Sequence, residues 1–205
     1  MLTGIKWLGH ATVTMEVNGV SVIVDPFQIQ SSRPFDVILI THSHYDHLSL
    51  EDIEKVRGEK SMVLAPADCA KQLGDKTAVV KAGDRIDCKN GVVVEAYPAY
   101  NIGKAFHPKE KGWVGYIVEI GERRVYVAGD TDRIPEMKGV RCDVAFLPAG
   151  GTYTMTAENA AEAASDIDPA IAIPIHWGTI VGSRADAEKF VKLVGSKAHL
   201  MEPNG

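Results

Sequence analysis

The 205-residue chain is 45% apolar with a formal net charge of −5, which fits one domain over residues 1–205 and gives no field to draw in a phosphate polymer. Nucleic-acid binding is disfavoured and a small-molecule substrate is the expectation. Cys69, Cys88 and Cys142 are odd in number, far apart and never C-x-x-C, excluding a disulfide framework and a cysteine zinc site and favouring a reducing compartment.

The first residues, MLTGIKWLGHATV, read as alternating strand and lack the basic start and apolar run of a signal peptide. Asn18-Gly19 separates ATVTMEV from VSVIVDPF and predicts a hairpin, because both turn residues tolerate positive φ. FDVILI is a continuous apolar run, as in strands covered on both faces, and Ser49 with Asp52 three residues on marks the next helix start. SMVLAP then ADCAKQLG read as strand and short helix, with Gly74 as the stop. Asn90-Gly91 leads into VVVEAYPAY, and WVGYIVEI turns through Gly121 into RRVYVAGD, giving two more hairpins. CDVAFLP, the helix TAENAAEAASDI, the strand AIAIPIH and the helix SRADAEKFVKLVG, with Ser183 and Asp186 as a capping box, complete the chain.

Paired strands followed by βα units, occurring twice, predict an α/β (α+β) fold: a four-layer αββα sandwich of two sheets face to face with helices outside. No apolar stretch approaches the roughly 20 residues that cross a bilayer, so no membrane span and a cytoplasmic protein are expected. A homo-oligomer stays open.

His10, Asp25, His42, Asn101, Asp130 and His176 each follow an apolar strand run, where a rigid scaffold best presents a site. His42, His44, Asp46 and His47 crowd four potential ligands into six residues, too many for one ion on a short loop, so they suit two metals. Imidazole and carboxylate without thiolate suit zinc, manganese, iron or nickel. Taken alone, Asp130 in Ala-Gly-Asp-Thr could be an Asx turn and His176 a buried core histidine.

Thr41 through His47 fits the H-x-H-x-D-H signature, and at these residues the chain resembles the metallo-β-lactamase superfamily. Asp25 in IVDPF, Gly129-Asp130-Thr131 and His176 fall in that superfamily's order. The resemblance implies metal ligation by His42, His44, Asp46, His47, Asp130 and His176, with Asp130 bridging two ions. It implies one or two divalent cations per chain, zinc first with manganese or iron as alternatives. Asp25 is expected to orient ligands rather than to be one.

The superfamily supplies a further histidine between the first motif and the bridging aspartate. Here Asn101 stands at that place, with His107 six residues later as a substitute ligand or a surface histidine. LGHAT, THSHYDHL, AGDTD and IHWGT most resemble the branch of ascorbate-6-phosphate lactonases and N-acylphosphatidylethanolamine-hydrolysing phospholipases. His10, in LGHAT, either faces the metal pocket or is a hydrogen-bonded structural residue. Lys104, Lys109 and Lys111 around His107 suggest an anchor for an anionic substrate, or else a solvated basic loop.

The expectation is a hydrolase in which hydroxide held on metal attacks a small ester, lactone or phosphodiester, with Asp46 as the catalytic proton carrier. Because Asn101 departs from the pattern, two alternatives remain: a mononuclear iron redox enzyme on the same scaffold, and a noncatalytic protein with a degenerate metal site.

Overall fold

The computed structural model describes residues 1–30 and 32–203. The first sheet contains β1 (Ile5–Gly9), β2 (Thr12–Val17), β3 (Val20–Val24), β4 (Phe35–Leu39), β5 (Arg57–Ala65) and β6 (Thr77–Val79), in that spatial order. The second contains β7 (Arg85–Asp87), β8 (Val93–Pro98), β9 (Val114–Ile120), β10 (Arg123–Val127), β11 (Val144–Pro148) and β12 (Ile171–Ile175), again in sequence order across the sheet. Each starts as an antiparallel meander and continues as parallel βα units. The repetition seen in the sequence is thus a repetition of topology.

The predicted turn and cap residues act as expected. Asn18 and Gly19 adopt φ of 52° and 78°, the left-handed pair that a two-residue hairpin needs between β2 and β3. Helix α1 (Leu50–Val56) is capped by the Ser49 hydroxyl accepting from the Asp52 amide. Helices α2 (Ala67–Leu73) and α3 (Ala157–Ile167) follow β5 and precede β12, and α4 (Arg184–Val194) begins with the Ser183–Asp186 capping box.

Three buried apolar clusters set the layers. Val13, Val22, Val94, Val125 and Phe146 lie between the sheets. Ile38, Ile53 and Val63 join α1 and α2 to the outer face of the first sheet, while Leu147, Ala160 and Phe190 join α3 and α4 to the outer face of the second. Helix, sheet, sheet, helix is the αββα sandwich.

Two short strands went unread in the sequence. β6 pairs only with β5, and β7 carries Arg85 and Asp87 on an exposed edge, so neither has the apolar alternation that marks a strand. Asn90 and Gly91 do join an antiparallel pair, but within a short 3-10 turn between β7 and β8. β5 begins at Arg57, directly after α1 and four residues before the apolar run at Ser61. Among the described residues no helix is long and apolar enough to cross a membrane.

Candidate metal centre

The site lies where strands of both sheets end. β1 delivers His10, β3 delivers Asp25, β4 leads into His42–His47, β10 into Asp130 and β12 into His176. His10, Asp25 and His176 hold φ of 47°, 45° and 60°, a region that L-residues occupy only when their surroundings over-determine it. Backbone bonds supply that constraint: the His10 carbonyl accepts from the Trp7 indole at 2.9 Å and from the His176 amide at 2.8 Å. Gly129, at φ 66°, brings the chain so close to Val114 that a Cβ there would stand 3.0 Å from its carbonyl oxygen.

Six of the seven histidines converge here. His42, His44 and His107 form one group, and His10, Asp46, His47 and His176 another, each with donor atoms within 4.8 Å of one another. Asp130 stands between the groups. Its Oδ2 is 3.3 Å from His107 Nε2 and 3.1 Å from His176 Nε2, and its Oδ1 is 3.4 Å from His47 Nε2.

The surrounding bonds decide which ring nitrogens face the centre. Asp25, fully buried, accepts from the Thr41 amide at 2.8 Å, the Thr41 hydroxyl at 2.6 Å and His47 Nδ1–H at 2.7 Å. With its proton given to Asp25, the Thr41 hydroxyl can only accept from His42 Nδ1, 3.0 Å away. His42 Nε2 and His47 Nε2 are thereby turned inward, where each can ligate once unprotonated. His42 Nε2 then faces His44 Nδ1 at 3.1 Å. Trp113 packs 5.0 Å and 4.9 Å from the His42 and His44 rings, and its indole N–H shares Asp68 Oδ2 with the Ser43 hydroxyl.

Asn101 does not point into the cluster. Its Oδ1 accepts from the His107 amide and from His107 Nδ1–H, both at 3.0 Å, and its Nδ2 donates to the Tyr153 carbonyl at 3.0 Å. His107, 1% exposed, turns its Nε2 toward Asp130, so the expectation of a surface histidine is overturned. The sequence could not show this because Asn101 and His107 close a loop on each other, the Asn101 amide donating to the His107 carbonyl at 2.7 Å. His10 both faces the cluster and is hydrogen-bonded, its Nε2–H donating to Asp46 Oδ2 at 2.8 Å.

Three of the expected features lie differently. Lys104 donates to Asp132 Oδ1 at 2.5 Å and to the Thr154 carbonyl at 2.7 Å. Lys109 donates to Glu136 at 3.1 Å, and Lys111 lies over the Trp113 ring. None of the three lines the cavity over the histidines.

The buried donors fit cations. His47 Nε2, His107 Nε2, both His176 ring nitrogens and Asp130 Oδ1 have no hydrogen-bond partner, an arrangement that folded proteins avoid unless something fills it. Two nitrogens on one tetrahedral zinc stand roughly 3.3 Å apart, given bonds of about 2.05 Å, and the His42–His44 separation is close to that. Burial, with the charge of His47 adding to it, holds the His42 pKa well below the usual imidazole value, keeping it in the ligating form. Burial opposes charge on His47 too, but the Asp130 and Asp25 carboxylates outweigh it and lift the pKa well above that value. Burial would raise the Asp130 pKa, yet His176 and His47 bring it far below the usual carboxylate range. The cluster is rich in anionic oxygen and draws positive charge.

The pattern is shared. A family described as "Beta-lactamase superfamily domain" matches residues 4–176. A metal-dependent hydrolase of Thermoplasma acidophilum is 35% identical over 94% of this chain and 91% of its own length. Among solved structures, a protein described as a metal-dependent hydrolase from Parabacteroides distasonis superposes with a TM-score of 0.86 at 32% identity, covering 98% of this chain and 93% of that one. Igni18, a metallo hydrolase from Ignicoccus hospitalis, has a TM-score of 0.80 at 24% identity over 98% and 95% of the two chains, a likeness of fold.

Proposed function

The chain belongs to the metallo-β-lactamase superfamily, and from that premise we propose that it is a hydrolase of small esters, lactones or phosphodiesters with two metal positions. One is held by His42, His44 and His107, the other by Asp46, His47 and His176, with Asp130 between them. The observation that carries the reading is the convergence of unpartnered, buried donor atoms from both groups on the two oxygens of Asp130.

Divalent cations, zinc first and manganese or iron as alternatives, supply Lewis acidity that makes water nucleophilic near neutral pH and polarises the electrophile. Asp25 and Thr41 fix the tautomers of His47 and His42. Asn101 does the same for His107 through Nδ1–H. Asp46 lines the cavity, its Oδ2 anchored by His10. Burial would raise the Asp46 pKa, but the His10 hydrogen bond and the charge of His47 bring it below the usual value. Asp46 therefore starts ionised, takes the proton of the attacking water and returns it to the leaving oxygen.

The mononuclear redox and noncatalytic alternatives rested on Asn101 leaving one position a ligand short. In this reading His107 supplies the nitrogen, which weighs against both alternatives.

Asp46→Asn tests the catalytic assignment. It is expected to abolish turnover of a phenyl ester, a lactone and an aryl phosphodiester while sparing part of the metal content measured by plasma mass spectrometry. Full activity in Asp46→Asn would refute the proton role.

A further inference from the structure

The histidine cluster is the floor of a cavity of about 210 Å³. Its walls are Tyr45, Phe106, Tyr153 and Ile180, which are 69%, 45%, 36% and 39% exposed. These make up four of the nine large apolar side chains exposed among the described residues. Exposed apolar side chains scattered singly need no explanation, but gathered at a polar, buried centre they mark a binding surface.

The walls are ordered from beneath. The Phe106 ring stands edge-on to Tyr153 with centroids 4.7 Å apart. Asn101 ties both to the metal centre, through the Tyr153 carbonyl on one side and His107, the neighbour of Phe106, on the other.

Charge separates the substrate classes. None of the lining residues is Lys or Arg. The nearby loop cations serve other partners: Lys104 holds Asp132 and Thr154, and Lys109 holds Glu136 and Tyr100. An anionic group reaching away from the metals would lie along largely apolar walls that offer it no countercharge.

Resting on the hydrolytic reading above, we propose that the substrate is a neutral ester or lactone whose compact apolar group, an aryl ring or short branched alkyl, seats among Tyr45, Phe106, Tyr153 and Ile180. The cavity holds roughly seven water volumes, the size of one ring and its carbonyl. In the reaction the water oxygen bonds to the acyl carbon, the carbon–alkoxide bond breaks, one water proton passes to the leaving oxygen and the other is released to solvent as the acid product ionises.

Two measurements test this together. The first compares kcat/KM of the zinc-, manganese- and iron-loaded protein on methyl phenylacetate, methyl hydrogen succinate and methyl phenyl phosphate by proton release. The neutral aryl ester is expected to lead by roughly tenfold or more, Phe106→Ala to lose about that factor, and Ile180→Lys to shift preference toward the succinate. The second titrates phenylacetamide into metal-free protein, expecting NMR shifts at the backbone amides of Phe106, Tyr153 and Ile180 that vanish in Phe106→Ala. Turnover with equal or better rates on the anionic substrates would overturn this inference and leave hydrolysis standing. Shifts with no turnover under any metal would overturn hydrolysis and leave the pocket's preference standing. Neither shifts nor turnover would overturn both.

Discussion

Replacing Asn101 with alanine removes an amide that is 7% exposed and engaged at both ends. Three side-chain hydrogen bonds go with it, each contributing about 1 kcal/mol net, so the metal-free fold should lose about 2–3 kcal/mol. The functional cost is separate. Without Asn101 Oδ1, nothing selects the His107 tautomer that leaves Nε2 free toward Asp130, and loss of such an orienting partner costs about 10- to 100-fold in metal affinity. Asn101→Asp keeps the acceptor for the His107 amide and Nδ1–H but sets a carboxylate against the Tyr153 carbonyl. It should retain most metal affinity while losing stability. Competition of each variant against a zinc chelator, with urea denaturation of the metal-free forms, separates the effects. Unchanged zinc affinity in Asn101→Ala, or a loss equal to that of His107→Ala, would refute the orienting role; the second result would make Asn101 itself a ligand.

Two further outcomes follow from the same geometry. Gly129→Ala places a Cβ 3.0 Å from the Val114 carbonyl and 3.2 Å from Thr41 Cβ at a φ of 66°, so it should cost about 1–3 kcal/mol. It should also displace Asp130 and reduce the metal content of both positions, checked by denaturation and plasma mass spectrometry. The metal-free protein should be most stable near pH 6.5, the ordinary imidazole value. Toward acid, the unfolded chain takes up protons that burial denies to His42 and to His10 in the fold, so stability falls. Toward alkali, the fold must give up the proton that Asp130 and Asp25 hold on His47, and stability falls again. Denaturation in chelator across pH 5 to 9 reads both limbs. Saturating zinc should remove the alkaline limb, because a coordinated imidazole has no such proton to lose.

Much of this was legible in the sequence because local rules carried it. Asn18-Gly19, Ser49 with Asp52, and Ser183 with Asp186 act within a few residues, and each forms the turn or cap its chemistry dictates. The H-x-H-x-D-H stretch is contiguous, so its convergence needed no tertiary knowledge. What stayed hidden depends on the path of loops. Asn101 and His107 exchange the expected places because their loop closes on itself, and no periodicity encodes that. Lys104 looked like an anion anchor until Asp132, 28 positions on, took its charge. Phe106, Tyr153 and Ile180 come from three separate segments and become a wall only in the fold. β6 and β7 were missed because short, half-exposed edge strands lack an apolar pattern.

The central claim is a pair of metal positions sharing Asp130. Anomalous diffraction at the zinc edge, from crystals of protein purified without chelator and supplied with zinc, tests it most directly. The account predicts two peaks, one bounded by His42, His44 and His107 and the other by Asp46, His47 and His176, each touching an oxygen of Asp130. A single peak, or a peak whose nearest protein atom is Asn101 Oδ1, would contradict it.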